Sequence, residues 1–232
     1  MHHDSADIDT DKRLAAEAAV QEVASGMLVG LGTGSTAAHA IRAIGRLGLD
    51  IDAVATSNAS ADLARSVGIL VRDFADVARV DLTIDGADEI DADFRAIKGA
   101  GGAMLREKVV ACASRRMIVI ADGSKRVATI GAAKLPVEVL PFAAAYVADR
   151  IAGLVRSATW RGEYLTDNGN RVLDCVAGAY RDWEALADAI ACIPGVVGHG
   201  LFLKQVDAAY IADRGVVTRT ERAGLERAAA SR

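Results

Sequence analysis

Apolar positions follow two alternating rhythms along the first half of the chain. From about Thr10 to Ser25, Leu14, Ala18 and Val23 fall on one side and charged residues on the other. This predicts an amphipathic helix, which Gly26 stops. Met27–Leu31 is a short apolar run ending in glycines, and Ser35-Thr36 opens a helix through Ile44. That reads as strand, tight turn, helix. Asp52–Thr56 predicts a second strand, followed by a helical segment carrying Leu63 and Val67. Ile69–Asp73 predicts a third strand, and Val80–Ile84 a fourth that ends at Asp85. A helix runs from Gly102 to about Ser114. Met117–Ala121 is a fifth strand, closing on Asp122-Gly-Ser-Lys125.

Strands alternating with helices imply right-handed crossovers and a mostly parallel sheet. Ligands of such sheets bind beyond the C-terminal ends of the strands. The polar motifs Gly32–Thr36, Thr56–Asn58, Asp85–Asp88 and Asp122–Lys125 all fall there.

The rhythm changes near Gly131. Leu135–Leu140 reads as a strand and Ala143–Val155 as a helix. Tyr164–Asp167 and Arg171–Val176 flank Asn168-Gly169, a hairpin signal. Trp183–Ile190 reads as a helix and Val196–Leu203 as a strand. The order β-α-β-β-α-β predicts a small, ferredoxin-like α+β domain over 131–205. The larger α/β domain then takes 1–130 and 206–232, with Ala208–Ala212 returning to the first sheet. The tail after Thr220 reads as a frayed helix or as disordered.

Composition narrows the partners. The chain has 232 residues and is 52% hydrophobic, enough for a soluble globular core. A net charge of −4 argues against nucleic acid as a general partner. Cys112, Cys175 and Cys192 form no CxxC and no Cys/His cluster, so neither zinc nor a disulfide framework is expected. A reducing, cytoplasmic setting follows. No apolar signal-peptide core and no long apolar run appear, so no membrane partner is expected. His2 and His3 carry no interpretable metal signal.

Three segments carry chemistry. Gly30-Leu-Gly-Thr-Gly-Ser-Thr36 feeds a helix with bare N–H groups and hydroxyls, which suits a phosphate. It lacks the Gly-Lys-[Ser/Thr] of a Walker loop. A dinucleotide fingerprint would want an acid at the end of the next strand, where Thr56-Ser57-Asn58 stands, so a nicotinamide cofactor is disfavoured. A capped helix after a tight turn would use the same residues. Asp85-Gly-Ala-Asp88 could bind sugar hydroxyls or shuttle a proton, or form a solvated turn. Its spacing is not that of an EF-hand. Lys98-Gly-Ala-Gly-Gly-Ala-Met-Leu-Arg-Glu107 places a cation, a glycine-rich backbone and a carboxylate within one loop-to-helix turn. A proton-transfer site beside a developing oxyanion calls for that combination. A Glu that merely favours the helix dipole, beside a solvated Lys, is the alternative. Lys12 reads as a solvated charge, and His39 and His199 as structural.

Taken together, these motifs resemble ribose-5-phosphate isomerase, type A. Gly32-Thr-Gly-Ser-Thr36, Asp85-Gly-Ala-Asp88, Lys98-Gly-Ala-Gly101, Arg106-Glu-Lys108 and Asp122-Gly-Ser-Lys125 carry the likeness. Leu135-Pro-Val-Glu-Val139 and Thr166-Asp-Asn-Gly-Asn170 extend it, and it runs from about Lys12 to Val217. The resemblance implies a Rossmann-like domain with a small α+β lid, a dimer or tetramer, and no metal or organic cofactor. It implies interconversion of D-ribose 5-phosphate and D-ribulose 5-phosphate through an enediolate. Glu107 takes the role of catalytic base, Asp85 helps open the sugar ring, and Lys98 with its loop steadies the enediolate. Thr33, Gly34, Ser35, Thr36, Asp85, Gly86, Ala87, Asp88, Lys98, Gly99, Ala100, Gly101 and Lys125 become substrate contacts. The resemblance sets Lys12 near the phosphate. Two other readings remain: a sugar-phosphate sensor, which has no need of Glu107, and a related aminosugar-phosphate deaminase or CoA transferase. A deaminase should show an Asp–His pairing, which is not found.

Overall fold

The computed structural model describes residues 5–178 and 182–223. In the first half, strands β1 (Leu28–Leu31), β2 (Asp52–Ala55), β3 (Leu70–Val71) and β4 (Val80–Gly86) alternate with helices. These are α1 (Ser5–Ala19), α2 (Ser35–Leu47) and α3 (Asn58–Ser66). Two short strands, β5 (Glu89–Ile90) and β6 (Ala96–Ile97), precede α4 (Met104–Ala113) and β7 (Ser114–Asp122). Then come β8 (Leu135–Val139), α5 (Ala144–Ala152), β9 (Ser157–Leu165), β10 (Arg171–Val176) and α6 (Trp183–Ala191). The chain closes with β11 (Val196–His199), β12 (Leu201–Phe202), β13 (Ala208–Asp213) and β14 (Val216–Glu221).

The main sheet has the order β14-β13-β7-β4-β1-β2-β3 and is parallel except for β14. Its central strands are buried on both faces. In β7, Met117 and Val119 join Ala209, Ile211 and Phe202 on one side. Ile118 and Ile120 face α1 and α2 residues such as Ala16, Ala40 and Ile44 on the other. This two-sided burial is what a parallel sheet covered by helices demands. Chain order reverses between β1 and β4, so the crevice at their C-terminal ends is the topological switch point.

The second sheet, β11-β8-β10-β9, is antiparallel throughout, and its order matches a ferredoxin-like unit. Leu135, Val137 and Val139 pack there on Val147, Ile151, Leu186 and Ile190 from α5 and α6. A third, three-stranded sheet, β12-β6-β5, joins the two strands between β4 and β7 to the one between β11 and β13.

The fold differs from the expectations at four points. The single strand expected over Val196–Leu203 splits at Gly200 into β11 and β12, which enter different sheets. Gly200 is the parting point because it lies against Lys98: a Cβ there would stand 2.2 Å from the Lys98 carbonyl oxygen. The strand expected from Tyr164 begins at Ser157, since β9 is largely exposed and shows little apolar alternation. β5 and β6 are two-residue strands, too short for any periodicity. The chain over Val216–Glu221 forms β14, antiparallel to β13, and its last residue lies in the tail expected after Thr220 as a frayed helix or disorder. The rest of the expected tail, beyond 223, lies outside the described residues, as do His2 and His3. No helix among the described residues is long and apolar enough to cross a membrane.

Candidate active site

The site is built on backbone that tolerates no side chain. The chain leaves β1 through Gly32, where a Cβ would lie 2.1 Å from Asp85 Oδ1. Gly34 then takes φ +101° and starts α2. Glycine permits the close approach at Gly32 and the positive φ at Gly34 at little strain. The absence of a Cβ lets Asp85, at the end of β4, lie directly under the glycine loop. Asp85 Oδ1 accepts the Thr33 N–H at 3.0 Å and the Gly86 N–H at 2.7 Å.

Lys98 follows β6 and is one of the largest fully buried side chains in the molecule, 2% exposed. Its backbone N–H donates to Gly200 O, 2.9 Å away. Its Nζ donates to Gly86 O at 2.5 Å and lies 2.9 Å from Asp85 Oδ2. The same nitrogen lies 3.5 Å from Glu107 Oε2 and 5.5 Å from the Phe202 ring centroid. Glu107 sits in the first turn of α4 and is 3% exposed. Its Oε2 receives no hydrogen bond. A buried charge must be paired or shift its pKa, and this group does both. Burial pushes Glu107 up to about 8. Lys98 opposes that shift, while Asp85 and Asp88 add to it. Burial also raises Asp85, against the pull of Lys98 and the two N–H groups. For Lys98, burial pulls the ammonium down, but Asp85 and Glu107 more than offset it and leave it above the ordinary lysine value. The result is a protonated lysine between two carboxyl groups, one of them a carboxyl poised near neutrality.

These groups border a cavity of about 220 Å³. Thr33–Thr36, Gly86–Asp88, Lys98–Gly101, Glu107 and Lys125 line it. All the expected contact residues except Asp85 therefore meet in one place. Asp85 is wholly buried behind the wall and reaches the cavity through Lys98. Lys12 also lines the cavity, its Nζ 3.1 Å from Ser35 Oγ, where its own helix suggested a solvated charge and the resemblance a place near the phosphate. Lys125 is set by Asp122, which caps the turn after β7 through the Ser124 N–H at 3.0 Å. Two lysines, the start of α2 and the hydroxyls of Thr33, Ser35 and Thr36 make one end of the cavity suited to a phosphate. His39 and His199 stay outside, as expected of structural residues. His39 Nε2 pairs with Asp9 at 3.0 Å, and His199 Nδ1 accepts the Leu201 N–H at 3.2 Å.

Residues 52–215 match the family model described as ribose 5-phosphate isomerase A (phosphoriboisomerase A). The chain belongs to this family. The ribose-5-phosphate isomerase A of Sphingopyxis alaskensis is 50% identical over 209 residues, covering 87% of this chain and 92% of that protein. The crystal structure of ribose 5-phosphate isomerase A from Neisseria gonorrhoeae superposes with a TM-score of 0.90 at 34% identity. It covers 93% of this chain and 98% of that one. A D-ribose-5-phosphate isomerase in complex with phospho-erythronic acid gives 0.89 at 31% identity, covering 93% and 99%.

Several residues that shape the site carry no functional signal in the sequence. Phe202 flanks Lys98 from β12. Arg161 and Tyr164 on β9 reach the 99–101 loop. No local pattern ties them to a motif about 60 residues earlier.

Proposed function

We propose that the protein interconverts D-ribose 5-phosphate and D-ribulose 5-phosphate with Glu107 as the base. The observation that carries this is the buried Glu107 carboxyl beside the Lys98 ammonium, in a cavity rimmed by glycine-loop amides and lysines. The phosphate docks against Thr33–Thr36, with Lys12 and Lys125 sharing its charge. Ring opening needs a proton at the ring oxygen. Lys98, held by Asp85, gives that proton and recovers one from the anomeric hydroxyl, so Asp85 acts through Lys98 and the ammonium is restored before enolisation. Asp88 binds the sugar from the cavity wall. Glu107 takes the proton from C2 and returns it at C1. Between the two steps a hydroxyl proton passes from O2 to O1, and Lys98 and the Gly101 amide hold the charge of the cis-enediolate. A carboxyl held near neutrality suits both the taking and the giving of that proton. The four-carbon acid phospho-erythronic acid, carried by a related structure, would place its carboxylate where the enediolate oxygens form.

A coupled assay on ribose 5-phosphate, run with the native chain and Glu107→Gln, tests this. Glu107→Gln should lose about 10²–10⁴-fold in turnover and still bind phospho-erythronic acid. Near-normal turnover would remove Glu107 from the role. The wholly exposed Phe142, with Leu140 and Tyr146 exposed beside it, supports a homo-oligomer, dimer or tetramer, because apolar patches of this kind mark contacts between proteins. A cytoplasmic setting follows from the three unpaired thiols. Sedimentation of the purified protein decides the oligomer.

A further inference from the structure

We infer that Arg161 is a positioning residue: from β9 it holds the carbonyls of the Gly99–Gly101 loop and so aims that loop's N–H donor at the reacting oxygen. The inference rests on the isomerase reading and deepens it. Arg161 is itself held by Asp174 on the neighbouring strand β10. Its Nε lies 3.0 Å from Asp174 Oδ2, and its Nη2 lies 2.5 Å from Oδ1. This fork leaves Nη1 to reach across to the loop. It donates to Ala100 O at 2.9 Å and to Gly99 O at 3.3 Å. Three residues further along the same strand, Tyr164 Oη donates to Gly101 O at 3.1 Å. Three successive loop carbonyls are thus bound by side chains of one strand.

In a trans peptide the N–H points opposite to the carbonyl. Fixing those carbonyls toward β9 therefore turns the paired N–H groups away from it. The Ala100 N–H is taken by Asp88 Oδ2 at 2.9 Å, and the Gly102 N–H by Gly99 O at 2.9 Å. The Gly101 N–H remains, on a residue that lines the cavity. It shares its peptide with Ala100 O, the carbonyl that Arg161 holds most closely. The guanidinium also polarises this peptide and makes its N–H a stronger donor to an oxyanion. Close packing keeps the arrangement fixed. Gly102 has φ +80°, and a Cβ there would stand 2.2 Å from Tyr164 Oη.

The experiment compares Arg161→Ala, Arg161→Lys and Asp174→Asn with the native protein. A donor aimed at a developing oxyanion is worth about 10²–10³-fold in kcat. Losing its aim should lower kcat of Arg161→Ala by about 10–10²-fold, with KM for ribose 5-phosphate within about threefold. Affinity for phospho-erythronic acid should fall with kcat, while inhibition by inorganic phosphate should hold steady. Arg161→Lys keeps the charge but lacks the fork, and should fail to restore the rate. Added guanidinium should restore part of kcat to Arg161→Ala. Asp174→Asn, a milder change, should shift kcat in the same direction, and it decides the matter if Arg161→Ala does not fold. A folded Arg161→Ala with native kcat, a rise in KM alone, or no response to guanidinium would overturn the inference. A native chain inactive on ribose 5-phosphate would instead overturn the isomerase reading.

Discussion

Asp85 and Glu107 share a single cation: Lys98 Nζ lies 2.9 Å from the first carboxyl group and 3.5 Å from the second. All three side chains are buried. Lys98→Met keeps the stem and removes the charge. Removing one partner of a buried ion pair costs about 3–5 kcal/mol, equivalent here to a fall in Tm on the order of 10 °C. The two carboxyl groups will respond by holding protons more tightly. The native state then binds more protons than the unfolded chain, so the loss grows as pH rises. Melting curves at pH 5 and pH 8 measure this. Equal destabilisation at both would show that the lysine does not neutralise the pair. Turnover should fall about 10²-fold or more.

Glu107 must be ionised to take a proton, and burial raises it to about 8, with Lys98 opposing. The rate should therefore rise with pH through an ionisation far above an ordinary glutamate, and be lost below it. Asp88→Asn removes one of the charges that raises Glu107, so the acid limb of kcat/KM should move to lower pH. An acid limb near the ordinary value of 4.5 would assign the profile to another group. The stability linkage has the opposite sense to that of a salt-bridged acid. The folded protein holds the Glu107 proton where the unfolded chain has released it, so this contribution is present below 4.5 and fades as pH climbs toward 8. Glu107→Gln should flatten the stability profile across that window, and denaturant titrations at successive pH values will show it.

Lys12 and Lys125 stand at the presumptive phosphate end of the cavity, on different elements. A hydrogen bond to a charged group is worth about 1.5–3 kcal/mol. Lys12→Ala and Lys125→Ala should each raise KM about tenfold or more and leave kcat near native. The native KM should also rise with salt as the lysines are screened. Loss of kcat at constant KM would mean that these lysines serve the transition state and do not dock the phosphate.

The site was legible because its pieces are contiguous motifs. Gly32–Thr36 and Asp85–Asp88 stand at the C-terminal ends of β1 and β4 in the parallel sheet and could be placed together by topology, while Lys98–Glu107 follows β6 of the small antiparallel sheet and was read from its own residues. The hidden part was tertiary. Asp85 looked like a sugar contact, and only its burial under Gly32 shows that it meets the cavity through Lys98. Lys12 looked solvated on its own helix, which does not reveal Ser35 as its neighbour, and only the resemblance set it near the phosphate. β14 escaped notice because an edge strand exposes most of its side chains and loses the alternation that marks a strand. Arg161 lies on a largely exposed strand, where an arginine is unremarkable until its partners are seen.

Glu138 belongs to the same class, and it unites two motifs that the proposed chemistry leaves without a part. On β8, within Leu135–Val139, it is wholly buried. Its Oε1 accepts from Thr166 Oγ1 at 2.7 Å, Asn168 Nδ2 at 3.0 Å and Asn170 Nδ2 at 2.9 Å. Asn168 in turn accepts from Arg106 Nε at 2.8 Å, next to Glu107 on α4. One carboxylate oxygen therefore folds the β9–β10 turn around itself and ties that turn to the helix bearing the base. Glu138→Ala leaves the two buried donors Thr166 and Asn170 unpaired, at about 1–3 kcal/mol for each group, and releases the exposed Asn168. Tm should drop on the order of 10 °C, and protease should cut the Asp167-Asn-Gly169 turn far faster. Glu138→Gln keeps one oxygen for the three donors and should lose less on both measures. Turnover of Glu138→Ala should fall as well, because α4 loses the Asn168 tether to Arg106. If Glu138→Ala melts and resists protease like the native protein, the turn is held by its own backbone, and the carboxylate has no part in setting α4.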